Sequence, residues 1–426
     1  MAPDSASTKP ASEGTRAPTR PPGGESARPE PDLKRLRSYR LARLRAELVK
    51  RDYAGALLYD PINVRYATGS RNMAVWLLHN ATRYAFVPSE GPVTLFDFHN
   101  CGHLSDGLET VGEVRPARAW YYFAAGPRTE DIAKRWAGEV TELLEQYGAG
   151  NKRLAVDRLE PLGTNLLQQA GVQIFDGQEV LEQARAIKSA DEIACMRASI
   201  AACQAGMAKM RQELKPGVSE NELWSHLHQV NIAEGGEWIE TRLLSSGPRT
   251  NPWFQESSDR LIRPGELVSF DTDLIGPHGY CADLSRSFFC GPGRPSPAQK
   301  RLYGMAYEQI HTNLDLLRPG IGFCEFAEKS FKLPPSFAPN RYSVIFHGVG
   351  LCDEYPASLY VEDYEAGAGY DGMLEPGMTV CIESYIGEVG GAEGVKLEQQ
   401  VLITERGFEL LSDFPFEAEL LPSRWL

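Results

Sequence analysis

The apolar positions change period along the chain. From Leu33, the segment LKRLRSYRLARLRAELVKRD sets Leu33, Leu36, Leu41, Leu44 and Leu48 on one helical stripe, with basic residues opposite. GALLYD then reads as a buried strand and DPINVRYATG as a strand-to-turn segment. YAFVPS and GPVTLFDF read as two more strands, TEDIAKRWAGEVTELLEQYG as an amphipathic helix, and RLAVD as a short strand. Strands alternating with helices predict a small α/β domain over residues 32–183.

The second half, 184–426, opens with a long predicted helix, SADEIACMRASIAACQAGMAKMRQEL. Ser189 with Glu192 three residues on forms a capping box. KPGVSENELWSHLHQVNIAEG follows as a turn and another helix. Strand-rich stretches come next: LVSFDTDLIG, YCADLSRSFFCG, YSVIFHGVG, TVCIESYIG and VKLEQQVLITERG. The helix PAQKRLYGMAYEQIHTNLDLL separates them. The overall class is α+β. Residues 1–31, such as APTRPPGGESARPEPD, hold almost nothing that burial would stabilise, which predicts a disordered tail.

Net charge is −13 across 426 residues, so a general nucleic-acid or anionic-membrane binder is disfavoured. No apolar run approaches a membrane span, and the first residues lack a signal-peptide core. Eight scattered cysteines without a CxxC pair read as reduced thiols, and the expected location is cytoplasmic.

The chemistry lies in the second half. Asp271 and Asp273 flank Thr272 on a predicted strand, where residues two apart share a face. Asp283 lies ten residues after Asp273, beyond the turn signal GPHG, so a hairpin brings it opposite the pair. Converging buried acids are costly without a cation. His347 follows the apolar run Val344-Ile345-Phe346, and Glu383 and Glu398 sit in stretches that read as buried. Taken singly, each residue reads as an ordinary edge, salt-bridge or core residue. Taken together, five carboxylates and one imidazole suit two divalent cations of the Mn, Fe, Co, Ni or Zn kind, bridged at about 3.5–4 Å.

This ordered pattern resembles the pita-bread superfamily of methionine aminopeptidase, Xaa-Pro aminopeptidase, prolidase and creatinase. Ile187-Lys188-Ser189 with Glu192-Ile193, and Leu374-Glu375-Pro376-Gly377-Met378, support it. The N-terminal α/β domain is similar to the creatinase-type N-domain. Two departures stand out. The peptidases carry a second histidine in a motif like HGxGxxxHExP, whereas here the segment runs HGVGLCDEYP, one residue shorter, with Asp353 near that place. Asp283 also lies ten and twelve residues from two aspartates, so the extra acid changes the ligand set.

Both departures resemble the DddP-type dimethylsulfoniopropionate lyase family. So do GGEWIETRLL, SGPRTNPWFQE, FDTD, and NMAVWLLHN with Asn72, Met73, Trp76, His79 and Asn80. The resemblance implies a dinuclear site with iron as the first choice and manganese, nickel or zinc as alternatives. It also implies a homodimer whose N-domain helps cover the partner's pocket, and cleavage of a sulfonium zwitterion to dimethyl sulfide and acrylate. By position it gives Asp271, Asp273, Asp283, His347, Glu383 and Glu398 as metal ligands. It gives Asp353, as the base, and Tyr342 as catalytic residues, and Trp76 and Tyr342 as pocket aromatics.

The chemistry is consistent with that carry-over. A neutral leaving group needs no acid, so the peptidase histidine is dispensable. Aromatic faces bind soft cations; Trp253 and Tyr122 are weaker candidates, with a core or interface role preferred for Trp253. Glu354 is the alternative base. The competing readings are an Xaa-Pro-type metallopeptidase and a binding module that has lost its metals.

Overall fold

The computed structural model describes residues 30–422, so most of the expected 1–31 tail lies outside the described residues. Helix Leu33–Lys50 starts where Asp32 accepts from the amides of Lys34 and Arg35. It buries Leu36, Leu41, Leu44 and Leu48, while Leu33 lies off the stripe and is exposed.

A six-stranded mixed sheet follows. Its strands run in the order Glu113–Pro116, Thr94–Asp97, Tyr84–Pro88, Gly55–Leu58, Arg153–Val156 and Gln173–Asp176. Side chains alternate between two cores. Leu57 and Phe86 face Trp136 of helix Thr129–Tyr147. Ala56, Leu58 and Val87 face Leu44 and Leu48. Both faces are therefore covered, as a sheet with parallel strands needs.

DPINVRYATG departs from its expected strand and turn, and forms helix Pro61–Thr68. Asp60 accepts from the Ile62 and Asn63 amides, Pro61 occupies the first turn, and Gly69 ends it at φ +74°. These caps outweigh the strand preference of Ile62, Val64 and Tyr66.

The capping box of Ser189 and Glu192 opens helix Ala190–Glu213 as expected. Helix Glu220–Ala233 packs against it. The remaining strands form two three-stranded sheets and one five-stranded sheet. The five-stranded sheet has the order Asp353–Ser358, Phe346–Val349, Thr379–Gly387, Gly394–Ile403, Phe408–Leu410. Helix Pro297–Leu314 lies on its two longest strands.

The two aspartate stretches are not continuous strands. LVSFDTDLIG splits into Leu267–Phe270 and Leu274–Ile275, and YCADLSRSFFCG into Cys281–Ala282 and Arg286–Phe289. Asp271, Thr272, Asp273 and Asp283 occupy the breaks. The hairpin itself is present, with Leu274 opposite Ala282 and Ile275 opposite Cys281. At the break the Thr272 hydroxyl replaces the backbone ladder: it donates to the Ala282 carbonyl and accepts from the Leu284 amide, both at 2.9 Å. Asp273 holds φ +34°. Strand alternation therefore does not set the directions of these acids; the break does.

Among the described residues no helix is long and apolar enough to cross a membrane. All eight cysteines are free thiols.

Candidate metal centre and cavity

Two antiparallel strands supply the glutamates. Glu383 and Glu398 are direct cross-strand partners, which brings their side chains together on one face. His347 lies on the neighbouring strand, paired with Cys381. The interrupted hairpin delivers the aspartates from the other side.

All six sequence-derived candidates meet. Ligand atoms of Asp271, Asp273 and Asp283 lie within 4.8 Å of one another, as do those of Asp271, Glu383 and Glu398. A third group joins Asp283, His347, Cys381 and Glu398. His347 Nε2 lies 3.3 Å from Glu383, 3.6 Å from Asp283 and 3.8 Å from Glu398. Its Nδ1 is 3.0 Å from the Gly348 carbonyl. A proton on Nδ1 satisfies that carbonyl and leaves the Nε2 lone pair facing the acids, the tautomer a metal ligand needs.

The electrostatics express a demand for positive charge. Burial pushes the Asp273 carboxyl up to about 8, aided by the nearby Asp271 and Asp353 charges. Burial, then neighbouring carboxylates, pushes Asp283 and Glu398 well above the carboxylate range. Burial also opposes ionisation of Asp271, but the Lys396 ammonium and hydrogen bonds outweigh it and hold that group at about 2. Glu398 Oε1 is buried with no hydrogen-bond partner. An orphaned carboxylate oxygen aimed at His347 Nε2, inside a shell of oxygen donors, fits a divalent cation.

Lys396 was not among the expected residues. Its side chain is fully buried, and Nζ lies 2.6 Å from Glu383, 3.0 Å from Asp271 and 3.5 Å from Glu398. Ser285 completes the clamp, with Oγ 2.6 Å from Asp271, 2.8 Å from Glu398 and 2.7 Å from Lys396 Nζ. Glu383 and Glu398 each turn one oxygen to this clamp and the other toward His347. Once all five carboxylates are ionised, they and the one ammonium sum to −4, the charge two divalent ions would neutralise. The sequence signal was available: Lys396 sits two residues before Glu398 in strand Gly394–Ile403, so both share a face.

A cavity of about 670 Å³ opens beside His347 and Asp353, lined also by Tyr342, Glu354, Tyr355 and Tyr370. Half of the Asp353 side chain is exposed, and its Oδ1 stands 3.6 Å from His347 Nδ1. Burial raises its carboxyl above the usual aspartate value against the pull of His347, and the Asp271 and Glu383 charges add to the rise. Glu354 is differently placed. Its side chain is fully buried and ion-paired to Arg185 at 2.8 Å and to Lys188.

The aromatic candidates separate. Tyr342 lines the cavity. Trp76 does not line it within one chain; it lies on helix Ala74–Leu77, tilted against Phe98 at 5.5 Å. Met73, Val75 and Leu78 beside it are exposed. Trp253 is buried against Tyr385, and Tyr122 is largely exposed.

Residues 194–405 match the metallopeptidase family M24, and residues 40–187 match the creatinase/prolidase N-terminal domain. The dimethylsulfoniopropionate lyase DddP of Roseovarius nubinhibens is 44% identical over 92% of this chain and 89% of its own. That of Roseobacter denitrificans is 44% identical over 92% and 88%. The chain belongs to the DddP-type dimethylsulfoniopropionate lyase family. Solved structures extend the likeness in fold. A Pyrococcus horikoshii dipeptidase superposes with TM-score 0.72 at 20% identity, covering 89% of this chain and 99% of its own. A Bacillus anthracis Xaa-Pro dipeptidase gives 0.70 at 22% identity, over 89% and 98%. The fold is thus pita-bread with a creatinase-type N-terminal domain. M24 proteins use divalent metals, and the acid and histidine cluster is this chain's candidate for holding them.

Proposed function

We propose that the chain is a metal-dependent carbon–sulfur lyase, a dimethylpropiothetin dethiomethylase, cleaving dimethylsulfoniopropionate to dimethyl sulfide and acrylate. The observation that carries this reading is Asp353: it stands in the cavity wall beside His347, half exposed, near the place where peptidases of this fold carry their second histidine. The neighbouring acid is held by two cations, so Asp353 is the acid free to act as base.

The reading assigns Asp271, Asp273, Asp283, His347, Glu383 and Glu398 to two divalent ions. Iron is the first assignment; manganese, nickel and zinc suit the same donors. Metal bound there supplies a Lewis acid for the substrate carboxylate and so acidifies the adjacent C–H. Asp353 takes that proton. The C–H electron pair becomes the new C=C bond, and the C–S pair departs on neutral dimethyl sulfide. No acid is needed at the leaving group. A raised carboxyl pKa makes Asp353 a stronger base.

The reading also divides the chain near residue 183 and pairs it as a homodimer. The exposed strip of Met73, Val75, Trp76 and Leu78 supports this, since it offers Trp76 to a partner's cavity rather than its own. Tyr342 is the cavity's own aromatic candidate.

The test sets headspace dimethyl sulfide from dimethylsulfoniopropionate against proline release from an Xaa-Pro dipeptide, with elemental analysis of the same sample. Dimethyl sulfide without proline release is the expected result. Proline release alone replaces the lyase with the peptidase.

A further inference from the structure

A second cavity, of about 90 Å³, shares no lining residue with the one beside Asp353. Arginines from two helices line it: Arg37 and Arg40 of Leu33–Lys50 and Arg65 of Pro61–Thr68. Cys195 of helix Ala190–Glu213, with His278 and Tyr280 just before strand Cys281–Ala282, completes the wall.

Arg40 is 3% exposed, yet no carboxylate among the described residues forms an ion pair with it. Its Nη2 donates to the Arg65 carbonyl at 3.0 Å, and its Nη1 reaches the Tyr280 hydroxyl at 3.5 Å. Nε is buried with no hydrogen-bond partner. Glu192 attracts Arg40 only from beyond that hydroxyl, because its two oxygens accept from Tyr280 at 3.0 Å and from the Ser189 amide at 2.8 Å. A buried cation without a direct counter-charge is costly, and an unmet buried donor adds to the cost.

The surrounding groups do not supply the missing anion. Arg37 spends Nε and Nη2 on Glu109, at 3.0 and 2.9 Å. Arg65 and Arg71 share Glu237, so one acid serves two cations. Burial, then the Arg65 and Arg71 charges, holds the His278 imidazole below its usual value. Two glycines press the arginines into place: a Cβ on Gly69 would collide with the Arg37 side chain, and one on Gly279 with the Arg65 guanidinium.

We propose that this cavity binds a small tetrahedral oxyanion of the sulfate kind, held by Arg40 and completed by Arg37, Arg65 and the Tyr280 hydroxyl. The guanidinium fork suits oxyanions, whose several oxygens accept from more than one donor. The space equals that of about three waters, which admits an inorganic anion and excludes a nucleotide or a sugar phosphate. The anion would clasp the two arginine-bearing helices to the segment that leads through Tyr280 into the hairpin of Asp273 and Asp283. The inference is independent of the lyase reading.

The experiment is equilibrium dialysis of the metal-loaded full chain against radiolabelled sulfate, with ionic strength held constant by gluconate, an anion too large for the cavity. The native protein should bind one sulfate per chain that Arg40→Gln does not. In that variant the affinity should fall roughly 10- to 100-fold, the worth of a charge-assisted hydrogen bond. Cys195→Leu fills the cavity while leaving every charge in place, and it should also lose the sulfate. A native chain that binds no sulfate overturns the proposal. So does binding that survives in either folded variant, which places the anion elsewhere, the metal ligands included. Chloride competing more tightly than sulfate makes this a halide site and overturns the oxyanion assignment.

Discussion

Asp353 Oδ1 lies 3.6 Å from His347 Nδ1, on the edge of the ring opposite the nitrogen that faces Asp283, Glu383 and Glu398. One imidazole therefore separates a metal-binding side from a proton-accepting side. Asp353→Asn preserves shape and removes the base. Dimethyl sulfide release should fall roughly 10²- to 10⁴-fold while metal content by elemental analysis stays unchanged. Full activity in this variant excludes Asp353 as the base.

Glu354 should behave as a structural acid. It neutralises Arg185 and Lys188, and all three side chains are buried. Glu354→Gln leaves the buried Lys188 without its carboxylate and Arg185 with Glu182 alone, a loss on the order of 3–5 kcal/mol in urea unfolding. Activity per folded molecule should persist, which distinguishes it from Asp353.

The orphaned Glu398 Oε1 predicts metal dependence. Glu398→Ala should lower bound metal measured by elemental analysis, with dimethyl sulfide release falling in step. A strong chelator should abolish activity in the native protein, and a divalent salt should restore it. Activity that survives complete metal removal counts against the assigned centre.

Lys396 predicts a stability effect that depends on metal. Without its ammonium, Asp271, Glu383 and Glu398 face one another uncompensated. Metal-free Lys396→Met should lose roughly 3–5 kcal/mol. Saturating divalent metal should recover most of that loss. Thermal melts with and without chelator read the difference; an equal loss in both conditions means the side chain acts by packing alone.

Asp157 sets a pH dependence far from the metal ligands. Burial pushes its carboxyl up to about 7, against the pull of hydrogen bonds from the Tyr59 amide and the Asn63 side chain. An unfolded Asp titrates near 4. The folded state therefore holds a proton that the unfolded chain releases, and stability falls as pH rises from about 4 to about 7. Asp157→Asn should flatten this slope in urea unfolding at pH 5 and pH 8, whatever its effect on absolute stability.

Local signals in the sequence were enough for several elements. The stripe of Leu36, Leu41, Leu44 and Leu48, and the box of Ser189 and Glu192, need only neighbours a turn away, so they read directly. The six candidate ligands were also legible, because acids inside apolar strands demand an explanation wherever the strands pair. Helix Pro61–Thr68 was misread because its β-branched and aromatic residues imitate a strand, while its caps at Asp60 and Gly69 decide the outcome.

The chain alone thus determined which residues have the chemistry to hold cations and which segments repeat with helical or strand period. Tertiary structure decided the rest. It broke the aspartate strands so that Thr272 could bridge them. It buried Lys396 against Glu398 of its own strand, Glu383 of the next and Asp271 of the strand break, and it locked Glu354 while leaving Asp353 open to the cavity. The physical reason is that charge compensation and burial depend on distances between residues remote in sequence, whereas periodicity depends only on residues that are near.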